Sequence, residues 1–224
     1  MTKANIYFVP GLAANCKIYE KIRLDTSRYE CHYLEWKLPH SKDESLQAYA
    51  QRMCADIVHK NPILIGVSFG GILVQEMSKL IPTQKVIIIS SVKSNAEYPL
   101  RLKILAATKT YKFIPLHLIA KLDSYLFYIL GKHKHKKITA YKKYLSVRDL
   151  NYLEWAIQHV LFWEQTEALP NIAHIHGTND GIFPSKKIKN FKQIEQGTHS
   201  MILTKHKKIS SEIESILTCQ YKAN

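Results

Sequence analysis

The sequence predicts an α/β protein: a doubly wound, mostly parallel sheet of about six strands with an inserted helical stretch. Three observations lead there. Strand-like and helix-like segments alternate along most of the chain. One strand, Lys85-Val86-Ile87-Ile88-Ile89-Ser90, is a near-continuous β-branched run, the pattern of a strand buried on both faces of a parallel sheet. Between about Ser94 and Glu167 the alternation stops and only helical periodicity remains.

Taken in order, Asn5–Val9 is the first expected strand and Tyr33–Trp36 the second. Ser45–Val58 carries Leu46, Tyr49, Ala50, Met53, Cys54 and Ile57 at the spacing of one helix face. Ile63–Gly66 is a third strand, followed by a helix from Ile72 to Leu80, and Lys85–Ser90 is the fourth strand. In the stretch without strands, Pro99–Tyr111, Leu116–Leu130, Ile138–Leu145 and Arg148–Trp163 read as helices, with Pro115 and Gly131 as punctuation. Ile172–His176 and Ile188–Ile194 are the fifth and sixth strands, and Lys205–Leu217 is a closing helix. The expected division is a core of residues 1–93 and 168–224 with a helical insertion at 94–167.

The chain of 224 residues is 46% hydrophobic, enough for a sizeable core and too much for a disordered chain. No signal-peptide pattern and no apolar run of transmembrane length occurs. Cys16, Cys31, Cys54 and Cys219 are scattered and form no CxxC pair. These features predict a cytoplasmic protein with reduced thiols and no metal centre, since His133 and His135 sit among lysines that repel a cation. No cofactor is expected. The net charge is +14, and residues 93–143 carry +10 of it, with Glu97 and Asp123 their only acids. That segment is either a solvated face or a surface for an acidic partner. No nucleic-acid recognition motif accompanies the charge.

Gly66-Val67-Ser68-Phe69-Gly70 falls between a predicted strand and a predicted helix. A sharp strand-to-helix turn lifts the serine hydroxyl above the sheet, and Gly66 and Gly70 suit so tight a turn. A serine hydroxyl needs a base within hydrogen-bond reach, and the base an orienting acid. Asp180, in Gly177-Thr178-Asn179-Asp180, follows the fifth strand, and His199, in Gly197-Thr198-His199, follows the sixth. Each has an ordinary alternative, a turn cap for Asp180 and a surface histidine for His199; their order and placement point to an acid and a base. Val9-Pro10-Gly11-Leu12 ends the first strand, so the Leu12 and Phe69 N–H groups are the expected donors to an oxyanion. His174 and His176 alternate along a buried strand and read as packing or hydrogen-bonding residues, while Asp123 and Asp149 fall in the insertion.

These motifs together resemble the α/β-hydrolase fold superfamily over nearly the whole chain. The resemblance implies a Ser68-His199-Asp180 triad and a helical cap at 94–167 over the site. Two departures stand out: Pro10-Gly11 replaces the His-Gly of many relatives, and the usual first hairpin has no counterpart. The superfamily spans many activities, but a serine nucleophile favours acyl transfer to water. The expected function is therefore hydrolysis of a carboxylic ester or thioester. Leu100, Ile104, Leu105, Tyr111, Phe113, Leu126, Phe127 and Trp163 would suit an acyl pocket if they are not ordinary helix packing. Some family members cleave the methyl ester of pimeloyl-acyl carrier protein in biotin synthesis, holding the carrier with basic cap residues. By that resemblance Lys132, Lys134, Lys136 and Lys137 would meet an acidic acyl carrier protein. Two alternatives are a peripheral membrane lipid or lysophospholipid hydrolase and a non-catalytic binding protein on the same fold.

Overall fold

The computed structural model describes residues 3–113 and 143–220. Among these residues six parallel strands form one sheet in the order β2-β1-β3-β4-β5-β6. They are β1 Ala4–Val9, β2 Tyr29–Tyr33, β3 Ile63–Val67, β4 Lys85–Ile89, β5 Ile172–Gly177 and β6 Lys192–Ile194. Helices α1 Leu46–Cys54 and α2 Phe69–Leu80 precede β4, and α3 Leu100–Ala107 and α4 Leu150–Leu161 lie between β4 and β5. Helices α5 Met201–Thr204 and α6 His206–Gln220 end the described chain.

Strand alternation feeds two cores. Tyr7, Val9, Leu64, Val86 and Ile88 pack with α1, α2 and α4 on one face. Ile6, Phe8, Ile63, Ile65, Ile87, Ile89 and Ile175 pack with α5 and α6 on the other. Successive side chains of a strand point to opposite faces, so the buried stretches Ile6–Val9 of β1, Ile63–Val67 of β3 and Val86–Ile89 of β4 run apolar without alternation to fill both layers. From β1 the chain builds outward to β2 on one side and to β3 on the other. The carboxyl ends of β1 and β3 therefore flank a topological switch point, where open α/β sheets form their binding crevices.

Two strands differ from expectation. The second is Tyr29–Tyr33 rather than Tyr33–Trp36, in register from Ala4↔Tyr29 to Phe8↔Tyr33. Trp36 lies beyond the sheet and stacks on Phe69 with ring centroids 5.1 Å apart. The sixth strand is only Lys192–Ile194. Ahead of it, Ser185–Lys187 forms a 3-10 turn, and Asn190 has φ 47°, a left-handed conformation that breaks an extended run. Helix α3 also stops early, at Ala107, because Lys109 takes φ 55°. Tyr111 then belongs to a separate 3-10 turn, Thr110–Phe113. Asp149 is the N-cap of α4, its Oδ1 accepting the Tyr152 N–H at 2.9 Å, which accounts for that carboxylate. Leu116–Leu130 and most of Ile138–Leu145 lie outside the described residues, as do Asp123, Leu126, Phe127, Lys132, Lys134, Lys136 and Lys137.

Candidate active site

Ser68 occupies the turn between β3 and α2 with φ 53° and ψ −117°, a conformation that costs a non-glycine residue about 1–3 kcal/mol. The surroundings hold it there. Its N–H donates to the Ile89 carbonyl at 2.9 Å, and its carbonyl accepts the Ser91 hydroxyl at 2.7 Å and the Gly71 N–H at 2.9 Å. A Cβ on Gly70 would run into the Val9 and Pro10 carbonyls, so this position packs the turn directly against the end of β1. Gly66 likewise faces the Gly70–Gly71 backbone.

That close approach brings the Pro10-Gly11-Leu12 loop to the serine. A Cβ built on Gly11 would lie 3.6 Å from the Ser68 Cβ. The Gly11 carbonyl accepts the Trp36 indole N–H at 2.9 Å and the Ala14 N–H at 3.0 Å. Ala13 takes φ 63°, and its carbonyl accepts the Val147 N–H at 3.0 Å. Phe69 is the first residue of α2, so its N–H has no partner within the helix and lies at the positive end of the helix dipole.

Asp180 and His199 come from the loops after β5 and β6. A Cβ on Gly177 would strike the backbone of Gly197, so these loops cross in direct contact. Asp180 is 4% exposed. Its Oδ1 accepts the Ile182 and Phe183 N–H groups at 2.8 and 2.9 Å. His199 Nδ1 lies 2.9 Å from Asp180 Oδ2, and His199 Nε2 lies 2.9 Å from Ser68 Oγ. A carboxylate accepts only, so Nδ1 carries the hydrogen and the Nε2 lone pair faces the serine hydroxyl. Burial pushes the Asp180 carboxyl up, but the hydrogen bond and electrostatic attraction of the His199 imidazole, with the Phe183 and Ile182 N–H groups, hold it below the usual carboxylate value. It is therefore a fixed negative charge at neutral pH.

The structure thus brings together Ser68, Asp180, His199 and the Leu12 and Phe69 loops. It does not gather the expected acyl-pocket residues in the same way. Leu100, Ile104 and Phe113 are exposed, and Leu105 is partly exposed. Tyr111 is buried against Phe162, and Trp163 is buried with its indole N–H on Glu76 at 2.7 Å. Residues that sequence reasoning passed over frame the site instead. Trp36 bridges the Pro10-Gly11-Leu12 loop and Phe69. Phe183 sets its ring edge-on to His199 at 5.7 Å. Arg101 on α3 donates to the Gly181 and Ile182 carbonyls beside Asp180. None has a local motif; each is recognisable only once its neighbours in space are known. Among the described residues no cluster of three or more His, Cys, Asp or Glu could hold a metal ion, and no helix is long and apolar enough to cross a membrane.

Comparison with solved structures gives the class. The chain is similar to a carboxylesterase of the thaumarchaeon Nitrososphaera gargenis, with TM-score 0.69 at 13% identity, covering 99% of this chain and 92% of that one. A lipase-esterase related protein of Clostridium acetobutylicum matches with TM-score 0.63 at 17% identity over 95% and 94%. An epoxide hydrolase of Bacillus megaterium matches with TM-score 0.66 at 10% identity over 97% and 94%. No protein-family model and no curated protein sequence matches the chain. The protein has the α/β-hydrolase fold. The differing activities of these neighbours mean that the fold does not select a reaction, so function has to be argued from the site.

Proposed function

We propose that the protein is a serine hydrolase that cleaves a carboxylic ester or thioester through an acyl-enzyme intermediate. The observation that carries this reading is the unbroken hydrogen-bond chain from Ser68 Oγ through His199 to the buried Asp180 carboxylate. In the first step Ser68 Oγ bonds to the acyl carbon while its proton passes to His199 Nε2. The carbonyl oxygen becomes an oxyanion facing the Leu12 and Phe69 N–H groups. Donors of this kind are worth about 3 kcal/mol each in transition-state stabilisation. The alcohol or thiol then leaves with the proton from His199. Water, deprotonated by the same imidazole, releases the acid and restores Ser68. Asp180 holds the imidazole in one tautomer and balances its charge throughout.

The segment 94–167 serves in this reading as a cap over the site. The narrower substrate, a pimeloyl-acyl carrier protein methyl ester, is supported by the family resemblance and the basic composition of that segment. Lys132, Lys134, Lys136 and Lys137 would hold the acidic carrier.

Labelling of wild type and Ser68→Ala with a fluorophosphonate probe, alongside hydrolysis of p-nitrophenyl esters of graded length, tests the main reading. Labelling and turnover should both vanish in Ser68→Ala with little change in melting temperature. A folded wild-type protein with neither labelling nor turnover would favour a binding protein on the same fold. Replacing Lys134, Lys136 and Lys137 with Glu should spare small esters and impair a carrier-bound one; equal effects would remove the carrier reading. Salt-sensitive binding to anionic vesicles would favour a lipid substrate instead.

A further inference from the structure

His174 and His176, which the sequence suggests as packing residues, adjoin the acid loop. Both lie on β5, with exposures of 2% and 0%. His176 Nε2 is 2.8 Å from the Phe183 carbonyl oxygen. A carbonyl only accepts, so Nε2 carries the hydrogen, and in the neutral imidazole that burial favours Nδ1 is then a bare lone pair. His174 Nε2, 3.1 Å from that lone pair, must then be the donor. In this arrangement the pair is neutral and its donors run one way, from His174 to His176 to Phe183.

Phe183 connects this chain to the site. Its N–H donates to Asp180 Oδ1 at 2.9 Å, and its ring packs against His199. Phe183 is therefore held on both of its backbone groups, its N–H by the Asp180 carboxylate and its carbonyl by His176. His176 Nε2 also lies 3.7 Å from Asp180 Oδ2, the oxygen that meets His199 Nδ1 at 2.9 Å.

We propose that His176, supported by His174, is a positioning residue: through the Phe183 carbonyl it fixes the turn that aims Asp180 at His199. The turnover part of its test rests on the serine hydrolase reading above. The chemistry explains why a neutral imidazole suits this place. A cation there would compete with His199 for Asp180. An apolar side chain would leave a carbonyl without a donor at a residue only 1% exposed.

Three variants test it. His176→Gln keeps an amide N–H at about the reach of Nε2, His176→Phe fills the space without a donor, and His176→Asn carries an amide too short to reach Phe183. Two quantities are measured: kcat and KM on a p-nitrophenyl ester, and the low-field proton resonance of His199 Nδ1–H against Asp180, assigned by its loss in His199→Gln. His176→Phe and His176→Asn should each lose roughly 10- to 100-fold in kcat with KM nearly unchanged, the size expected when a reacting group is misplaced. Their low-field resonance should broaden or move upfield, and His176→Gln should restore both quantities. Wild-type kcat and resonance in His176→Asn would overturn the proposal, as would equal impairment of all three variants. His176→Asn and His176→Gln decide the matter if His176→Phe does not fold. A wild-type protein without turnover would remove the hydrolase reading, and the resonance would still decide the role of His176.

Discussion

The two sides of the site are held by different kinds of contact. On one side the Pro10-Gly11-Leu12 loop and the Ser68 turn interlock through backbone: Gly70 against the Val9 and Pro10 carbonyls, and the Ser68 N–H on the Ile89 carbonyl. On the other side, the described residues between β4 and β5 reach the Asp180 loop through side chains, with Arg101 on two carbonyls and the Tyr98 ring stacked on Phe183 at 6.0 Å. Backbone interlocks admit almost no change of residue, whereas side-chain contacts can be remade by many residues. Substitutions at the first kind of contact should therefore cost more than substitutions at the second.

Asp180→Asn sets the largest expected effect, the scale against which both kinds of contact are judged. The amide preserves shape but gives His199 no fixed charge and permits the wrong tautomer. Turnover of a small ester should fall by about 10⁴-fold, with a small change in melting temperature. Retention of near-wild-type turnover would mean that Asp180 serves only its own loop, through the Ile182 and Phe183 N–H groups.

Gly70→Ala should have the next largest effect, and on stability as well as rate. The new Cβ meets the backbone oxygens of Val9, at the end of β1, and of Pro10 just beyond it, a packing conflict that costs about 1–3 kcal/mol. Chemical denaturation should show the loss, together with reduced labelling of Ser68 as the Pro10-Gly11-Leu12 loop is pushed away. Gly181→Ala is the control, because a Cβ there has nothing within 4 Å.

How much of this was legible in the sequence follows the same line. Ser68, Asp180 and His199 stood out because a tight turn needs glycines and because each residue follows a strand in a fixed order. The sheet was legible because β1, β3 and β4 are apolar enough to fill two layers. β2 was misplaced because Tyr33-Leu34-Glu35-Trp36 is as strand-like as Tyr29–Tyr33, and only the pairing with β1 separates them. The pocket residues were not legible, since an apolar helical residue has the same sequence signature whether it faces a ligand, a core or solvent; Ile104 is 51% exposed and Tyr111 is buried. His176 was hidden for a related reason. Its role lies in a contact with Phe183, and nothing in the alternation of β5 announces it.

Acid should weaken the site's foundation before it reaches the carboxylate. Burial holds His174 well below the ordinary imidazole value of 6.5, with His176 and Lys93 adding to the effect, and burial lowers His176 as well. The unfolded chain therefore binds more protons than the folded one once the pH drops below about 6.5. Stability from this pair is complete above that value and is lost as pH falls through and below it. The depressed Asp180 carboxyl adds stability that is lost only lower, below the ordinary carboxylate value of 3.8. Melting temperature against pH should show the first decline from about pH 6.5 downward. His176→Gln should flatten it, and an unchanged profile would mean that the imidazoles take up protons without cost.

The smallest effect is expected from Arg101→Gln, and it separates the two sides most sharply. The guanidinium is exposed and bonds only to carbonyls, so its loss leaves no buried charge and costs stability on the order of 0.5 kcal/mol or less. The Asp180–Phe183 turn retains its own N–H bonds to the carboxylate and the His176 grip on Phe183. Hydrolysis of a short ester should stay within about 3-fold of wild type, because surface changes away from the reacting groups are usually tolerated. If the cap reading proposed above holds, a long ester should lose more than a short one. If the short ester suffers as badly in Arg101→Gln as in Asp180→Asn, the segment between β4 and β5 belongs to the reacting machinery, and the division between a backbone-held side and a replaceable one fails.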